Sequence, residues 1–303
     1  MNEMRKKVLV AGASGLIGTA LTRELAGSGW EVVRLVRREV RSEGEVSWDP
    51  ARGEIEEGAM DGVSAVVNLS GENVGAGRWT KARKEAILRS RVDATRTLVD
   101  AMRRAEKKPT VLVNASAVGI YGDRGDEVLS EGAASGRGFL AEVCRAWEAE
   151  AQLAEREGVR VAVMRLGVVI AKEGGALAKM LPVFRAGIGG KIGNGKQWMS
   201  WVSLDDVVAG LRWVIKEERG AGVFNLAAPN PVRNEEFTRA LGRVLKRPAV
   251  LPVPVVVVKT LFGEMGEEAL LASERAVPER LLAEGFRFRH VTLDEALQAA
   301  LDR

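Results

Sequence analysis

The sequence is short of the side chains from which many active sites are built. Its 303 residues include one cysteine, one histidine and one tyrosine. The single cysteine, Cys144, excludes an internal disulfide and suits a reducing compartment, so a cytoplasmic protein is expected. Because His290 is the only histidine, we expect neither a metal site nor a histidine-based catalytic triad.

Long hydrophobic runs are also missing. A membrane helix needs about 20 consecutive apolar residues, and no run approaches that length, so no membrane segment is expected. The basic N-terminus before an apolar stretch resembles a signal peptide, but the stretch ends at once in Gly12 and is better interpreted as a first strand. The net charge is +4, with acids between most basic residues, which predicts solvated helix faces and no nucleic-acid partner.

Apolar, β-rich runs alternate with helical patterns, which is typical of a parallel α/β sheet. We predict strands over residues 7–11, 31–36, 44–48, 65–69, 110–116 and 159–165 with 168–170, and helices over 17–27, 80–107 and 138–157. Residues 1–228 are expected to form a Rossmann-type doubly wound domain, with a substrate-lobe insertion at about 174–200. Residues 229–303 are expected to form a small α-rich C-terminal domain, with the substrate between the two.

A glycine motif follows the first predicted strand and opens the first predicted helix. Gly12 permits a tight turn, Gly15 lets the backbone approach a pyrophosphate, and Gly18 allows close packing of the helix. The N-terminus of the helix offers free N–H groups to phosphate. The predicted dinucleotide-binding residues of this loop are Gly12, Ser14, Gly15, Leu16, Ile17 and Gly18.

Two arginines follow the second predicted strand, where an acidic residue would bind the ribose 2′-hydroxyl of NAD. Arg37 and Arg38 instead suit a 2′-phosphate, which accepts bidentate hydrogen bonds from guanidinium groups. The sequence therefore favours NADP(H). The alternative is that both are solvated surface charges, since Glu39 could pair with them.

The GxxGxxG spacing resembles the extended short-chain dehydrogenases/reductases. Ordinary members of that family use a serine together with a tyrosine and a lysine that lie four residues apart on one helix. Ser116, at the end of a predicted strand, fits the serine role. The helix predicted over residues 138–157 contains neither tyrosine nor lysine, and Tyr121 lies in the turn after Ser116. Composition therefore excludes the usual pair on this helix.

The pattern resembles a narrower branch, the atypical "epimerase family" or nucleoside-diphosphate-sugar epimerase-like proteins of the 39U type. The resemblance covers nearly the whole chain, and in that branch a cysteine often stands for the lysine, as Cys144 would, and an arginine for an asparagine, as Arg91 would. The supporting stretches are residues 67–73, 87–91, 197–206, 225–229, 278–282 and 285–288.

The resemblance implies further contacts with the cofactor. Leu69 and Ser70 would line its adenosine side, Arg91 would face it from the long helix, and Arg165 would approach the nicotinamide. Ligands of open α/β sheets do bind at strand C-termini. The alternatives are a backbone turn for Leu69 and Ser70, and structural salt bridges for the two arginines.

Two hypotheses about function follow. In the first, the chain is an NADP(H)-dependent oxidoreductase or epimerase-like enzyme acting on a small molecule, with Ser116 polarising the reacting oxygen and Tyr121 donating the proton. In the second, it is a catalytically silent NADPH sensor or scaffold. Cys144 is either reactive or, as we favour, buried and inert. Both a monomer and a homodimer remain open.

Overall fold

A computed structural model describes residues 6–302. Residues 1–5, where the signal-peptide alternative begins, lie outside the described part. The first half of the chain contains β1 Lys7–Ala11, α1 Leu16–Gly27, β2 Glu31–Val36, β3 Glu45–Asp49, β4 Glu54–Ile55, β5 Val63–Asn68, α2 Lys81–Arg104, β6 Val111–Ala117, β7 Val128–Leu129 and α3 Phe139–Gln152. The second half contains β8 Arg160–Leu166, β9 Val168–Ile170, α4 Gly175–Arg185, β10 Trp198–Met199, β11 Trp201–Ser203, α5 Leu204–Lys216, β12 Gly222–Leu226, β13 Val232–Arg233, α6 Asn234–Leu245, α7 Val255–Phe262, α8 Glu264–Gly266, β14 Arg275–Ala276, α9 Glu279–Ala283 and α10 Leu293–Leu301.

The main sheet has eight strands in the order β12-β8-β6-β5-β1-β2-β3-β4. All neighbouring strands are parallel except β3 and β4, which form an antiparallel pair at one edge. The order reverses beside β1, so the loops after β1 and β5 diverge and leave a crevice at their carboxyl ends. The predicted doubly wound parallel sheet is confirmed.

Both faces of the sheet are buried under helices. Successive side chains of β1 therefore enter two different cores. Val8 and Val10 face a core that includes Leu21 of α1 and Leu211 of α5. Leu9 faces the opposite core. A parallel strand covered on both faces is apolar throughout, which explains the uninterrupted apolar run of β1.

The structure differs from the predicted elements in the middle of the chain. Residues 159–170 form two strands, because β8 joins the main sheet while β9 pairs with β11. Between them, a Cβ at Gly167 would lie 2.8 Å from the carbonyl oxygen of Ser200, so only glycine fits this close approach. The sequence also failed to predict α4, which contains Pro182. Proline normally argues against a helix interior because it lacks an N–H group.

Helices predominate after residue 228, as expected, and short strands join this segment to the rest of the fold. β13 pairs with β10, and β14 pairs with β7. The division at residue 228 stays a prediction. Within residues 6–302, no helix is both long enough and apolar enough to cross a membrane.

Burial predicts how strongly two leucines contribute to stability. Leu112 of β6 is fully buried, whereas Leu261 of α7 is 59% exposed. We expect Leu112→Ala to lower the free energy of unfolding by about 2–5 kcal/mol, because it removes buried methyl groups and leaves a cavity. The matched control, Leu261→Ala, should change it by less than about 0.5 kcal/mol. Urea denaturation measures both, and equal losses would contradict the assigned core.

Candidate functional site

The glycine loop connects β1 to α1 and adopts a conformation that two of its glycines require. Gly12 has a φ of +78°, and a Cβ there would lie 2.6 Å from the carbonyl oxygen of Leu69. A Cβ at Gly18 would lie 2.2 Å from the carbonyl oxygen of Gly12. For a Cβ at Gly15, the only close atom among residues 6–302 is that same oxygen, at 3.4 Å. Gly12 and Gly18 therefore hold the loop together, while Gly15 leaves its outer side open.

The N-terminus of α1 lies at the carboxyl edge of the sheet. Gly15 is its N-cap residue, and no side chain of the described residues caps the helix there. The first amides of a helix have no partner within it, so those of Leu16, Ile17 and Gly18 are available to an anion. Ser14 is exposed beside them. This geometry suits a phosphate group, and the binding of a dinucleotide by these residues stays a prediction.

The two arginines after β2 have different surroundings. Arg38 donates to both carboxylate oxygens of Glu45, at 2.8 and 2.9 Å, and to the backbone oxygen of Glu39. Hydrogen bonding from Arg38 lowers the pKa of Glu45 to about 2. Arg37 is exposed and has no ion pair within residues 6–302. Arg37 is therefore the arginine that is free to meet a 2′-phosphate.

The loop after β5 approaches the glycine loop, as predicted for Leu69 and Ser70. The amide of Leu69 donates to Ala11 at 2.9 Å, and the amide of Ser70 donates to the side chain of Asn68 at 3.2 Å. Both hydrogen bonds belong to backbone turns. The contact of Leu69 and Ser70 with a cofactor stays a prediction.

Arg91 is fixed against the same loop from α2. Its guanidinium donates to the carbonyl oxygens of Glu72 and Ile87 at 3.1 and 3.0 Å, and it lies over the ring of Trp147 at 5.1 Å. A Cβ at Gly71 would lie 2.8 Å from the guanidinium carbon. Burial lowers the pKa of Arg91. These contacts order the loop, and the implied contact with a cofactor stays a prediction.

A buried polar cluster, here called the arginine network, lies at the carboxyl ends of β6, β8 and β12. It consists of Ser116, Tyr121, Glu148, Arg165 and Asn225, each at most 8% exposed. Arg165 forms a bidentate ion pair with Glu148 at 2.9 and 2.8 Å. Ser116 donates to Glu148 at 2.6 Å, and Tyr121 donates to the Asn225 side chain at 2.7 Å. Arg165 also donates to the Tyr121 oxygen at 2.9 Å.

The network engages both hydroxyls that the sequence predicts to be catalytic. Tyr121 is fully buried, and burial raises the pKa of its phenol although Arg165 opposes the shift. The charge of Arg165 is retained, because the hydrogen bonds and charge of Glu148 outweigh burial and raise its pKa. The predicted structural salt bridge of Arg165 is therefore present. The catalytic roles of Ser116 and Tyr121 stay predictions.

Cys144 lies on α3 four residues before Glu148 and is buried. Burial raises the pKa of its thiol to about 11, with Glu148 acting in the same direction, and hydrogen bonding involving Ser116 opposes them. A neutral thiol is a poor nucleophile. These surroundings favour the buried, inert interpretation over a reactive cysteine.

Several polar residues of the site escaped the sequence analysis. Glu148 lies four residues after Cys144, so the two share one face of α3. The sequence does not show that this face meets the strand ends, and Glu148 was therefore not singled out. Asn225 lies in residues 225–229, one of the stretches that support the family resemblance, but the sequence assigned it no role. A second buried set links neighbouring strands, because the Asn68 side-chain amide donates to Thr95 and to Asn114 at 2.9 and 2.8 Å.

His290 is buried and packs against the start of α5. Its Nδ1 lies 2.9 Å from Ser203 Oγ. Ser203 caps α5 and donates to Asp206 at 2.7 Å. Because the serine proton is directed to the carboxylate, this set is a helix cap and not a nucleophilic triad. No group of potential metal ligands occurs in the described residues.

The chain matches the model of the NAD dependent epimerase/dehydratase family over residues 8–227. Residues 253–300 match a domain of unknown function. The fold and the phosphate-binding loop thus define a protein of the short-chain dehydrogenase/reductase class, and the chain belongs to the NAD dependent epimerase/dehydratase family.

Within that family the chain resembles the epimerase family proteins of the SDR39U1 type. It is 43% identical to Epimerase family protein Mb2239 of Mycobacterium bovis, over 98% of each chain. The crystal structure of human epimerase family protein SDR39U1 with NADPH superimposes with a TM-score of 0.90 and 32% identity, over 98% of this chain and 99% of that one. A nucleoside-diphosphate sugar epimerase from Corynebacterium glutamicum matches at 0.80 and 35% identity, over 98% of this chain and 58% of that one.

The buried ion pair predicts a strongly non-additive pair of substitutions. Arg165→Met should lower the free energy of unfolding by about 3–5 kcal/mol, because it leaves the Glu148 carboxylate buried without its partner. The double variant Arg165→Met/Glu148→Leu should recover most of that loss, because no charge is left without a partner. Denaturation in urea measures the cycle. Losses that simply add would show that the two side chains are not coupled.

Proposed function

We propose that the protein is an NADP(H)-dependent oxidoreductase that acts on a small-molecule substrate. The observation that carries this proposal is the open phosphate-binding loop at the carboxyl edge of the sheet, beside the strand ends that hold Ser116 and Arg165. A nicotinamide cofactor with its pyrophosphate at this loop would extend across the crevice toward those strand ends.

The cofactor preference rests on Arg37. An exposed guanidinium after β2 favours a 2′-phosphate, whereas Arg38 is engaged by Glu45. The similarity to human SDR39U1, whose structure contains NADPH, supports the same cofactor here. In this proposal, Leu69 and Ser70 line the adenosine side of the cofactor, and Arg91 faces the cofactor from α2.

Replacing Arg37 tests this preference. Arg37→Asp should weaken NADPH binding about tenfold to a hundredfold, because a charge-assisted hydrogen bond is lost and an acid faces the phosphate. NADH binding should change little. The control is Arg156→Asp, an exposed arginine that precedes β8 at the opposite edge of the sheet. Calorimetry measures both nucleotides, and equal affinities for them in the unaltered protein would contradict the assignment.

The bound cofactor would supply a hydride, and the chain would orient the substrate and provide the proton. The proposal retains Ser116 and Tyr121 as candidates for polarising the reacting oxygen and donating the proton. In the structure, the hydroxyl of Ser116 donates to Glu148 and that of Tyr121 donates to Asn225. Either role therefore requires a local rearrangement when the substrate binds.

A catalytically silent NADPH-binding protein is the second candidate. The observation that favours it lies on α3, where Leu140 and Cys144 occupy the positions of the missing tyrosine and lysine. Neither can replace a phenol held at low pKa by an ammonium group, since Leu140 is apolar and burial raises the pKa of the Cys144 thiol. We favour the enzyme because residues 229–303 are expected to form a substrate lobe beside the cofactor site.

Turnover of NADPH distinguishes the two candidates. We expect at least one member of a panel of ketones, aldehydes and sugar nucleotides to oxidise NADPH, followed by its absorbance. Gly15→Leu should fold, because Gly15 has an ordinary φ of −73° and a Cβ there would meet just one close atom of the described part of the chain, at 3.4 Å. It should nevertheless abolish oxidation, because the leucine side chain would fill the phosphate side of the loop.

Tight NADPH binding with no oxidation across the panel would favour the silent protein instead. If a substrate is found, an unchanged turnover rate in Tyr121→Phe would remove Tyr121 from the mechanism.

A further inference from the structure

Exposed apolar side chains concentrate on α7, on the segment before it and on the loop after α4. Most of the large hydrophobic side chains that are exposed within residues 6–302 lie in residues 183–188 and 250–262. The apolar patch is defined here as Ile188, Val250, Leu251, Val256, Leu261 and Phe262. Val250 is 76% exposed and Val256 is 67% exposed. Single exposed apolar residues are ordinary, whereas a contiguous group of them marks an interaction site.

Backbone contacts make the apolar patch contiguous. The amide of Leu251 donates to the carbonyl oxygen of Gly189 at 3.2 Å, which places the segment before α7 beside Ile188 and the loop after α4. α7 begins soon afterwards at Val255, whose side chain lies 2.8 Å from the point that a Cβ at Gly193 would occupy. One surface therefore extends from the loop after α4 onto α7.

α7 exposes the apolar side chains that a helix normally buries. Of its eight described residues, Val258 alone is buried. Val256 and Leu261 are 67% and 59% exposed. A helix that is apolar on most of its surface is usually enclosed, either in a protein core or in lipid. The exposed face of α7 therefore needs a covering from outside the described part of the chain.

The segments that carry the apolar patch are basic. Residues 174–204 contain four lysines or arginines and no acidic residue, and residues 237–263 contain five and no acidic residue. The net charge of the whole chain is only +4. These two segments therefore carry more positive charge than the chain as a whole, and the remainder of the chain is acidic overall.

Several of these charges border the apolar patch and have no counter-charge. Arg185, Lys246 and Arg247 are exposed, and none of them forms an ion pair with any residue from 6 to 302. The two ends of this basic border lie together, because a Cβ at Gly187 would be 3.4 Å from the ring of Pro248. The surface thus combines an apolar centre with a positive border.

We propose that the apolar patch is a docking surface for a membrane that contains anionic lipids. Its aliphatic side chains would enter the boundary between the headgroups and the acyl chains. Arg185, Lys246 and Arg247 would lie at the level of the negative headgroups, which attract basic residues beside an inserted apolar surface. The apolar area and the charge of the surface both match this occupant.

Two other occupants match the surface less well. A second copy of the chain, in a two-fold dimer, would place the same basic border against itself, and like charges oppose such a contact. The centre of a protein interface is rich in tyrosine, tryptophan and methionine, whereas the apolar patch consists of valine, leucine and isoleucine with one phenylalanine. A fluid lipid boundary requires apolar area without a complementary shape.

Sedimentation with lipid vesicles tests the proposal on the full chain. Phosphatidylcholine vesicles that contain about 30% phosphatidylserine should bind the protein at least about tenfold more tightly than vesicles of phosphatidylcholine alone, because each basic residue near the surface adds to the attraction. Raising the salt concentration to about 0.5 M should weaken the binding, because it screens that attraction.

Substitutions separate the apolar centre from the basic border. Leu261→Asp should weaken binding to the anionic vesicles about tenfold or more, because a buried leucine is lost and a negative charge is added. Its matched control is Leu282→Asp, since Leu282 is 48% exposed on α9 and lies outside the apolar patch. Both leucines are exposed, so both variants should unfold at nearly the same urea concentration as the unaltered protein.

Two further variants complete the test. Val256→Asp changes a second exposed position of α7 and replaces Leu261→Asp if that variant is unstable. Arg247→Glu should weaken binding to the anionic vesicles about tenfold, because it reverses a charge beside the headgroups. Arg156→Glu, which changes an exposed arginine before β8, is its control and should bind as the unaltered protein does.

The outcomes distinguish the possible occupants. Failure to bind the anionic vesicles overturns the proposal, as does equal binding to both kinds of vesicle. Anionic vesicle binding that is as tight in Leu261→Asp and Val256→Asp as in Leu282→Asp also overturns it, because charge alone would then act. Self-association that Leu261→Asp abolishes, without vesicle binding, would assign the surface to a second copy. No arm uses a nucleotide or a substrate, so the result is independent of the proposed function.

Discussion

The ion pair between Arg165 and Glu148 is the interaction on which the carboxyl edge of the sheet depends. Arg165 is only 8% exposed, so its guanidinium must be compensated, because a buried charge without a partner is costly. Its donors therefore go to Glu148 and to the phenol oxygen of Tyr121. Tyr121 in turn donates to Asn225. One charge thereby fixes α3 against the ends of β8 and β12 and the turn after β6.

This arrangement changes how the polar residues of the site should be viewed. Ser116 and Tyr121 are the residues that the family pattern suggests for chemistry, yet both hydroxyls satisfy the arginine network.

The cofactor side of the site could be predicted from the sequence because it depends on backbone conformation. Gly12 and Gly18 are required by a positive φ and by contacts that no Cβ could make, so the spacing of the motif carries the geometry directly. The strands were readable for a similar reason, since a strand covered on both faces is apolar throughout. α4 was missed because Pro182 argues against a helix when only local preferences are considered.

The polar contacts on the predicted substrate side could not be predicted in the same way. Glu148 and Asn225 lie far apart in the chain, and nothing local to either of them indicates a buried polar contact. By itself the sequence determined the doubly wound sheet, the phosphate-binding loop and the absence of the usual tyrosine and lysine on α3. Only the tertiary structure decided which arginine after β2 is free and that Arg165 is paired with Glu148. These depend on burial and on charges brought together across the fold, and both are properties of the assembled chain.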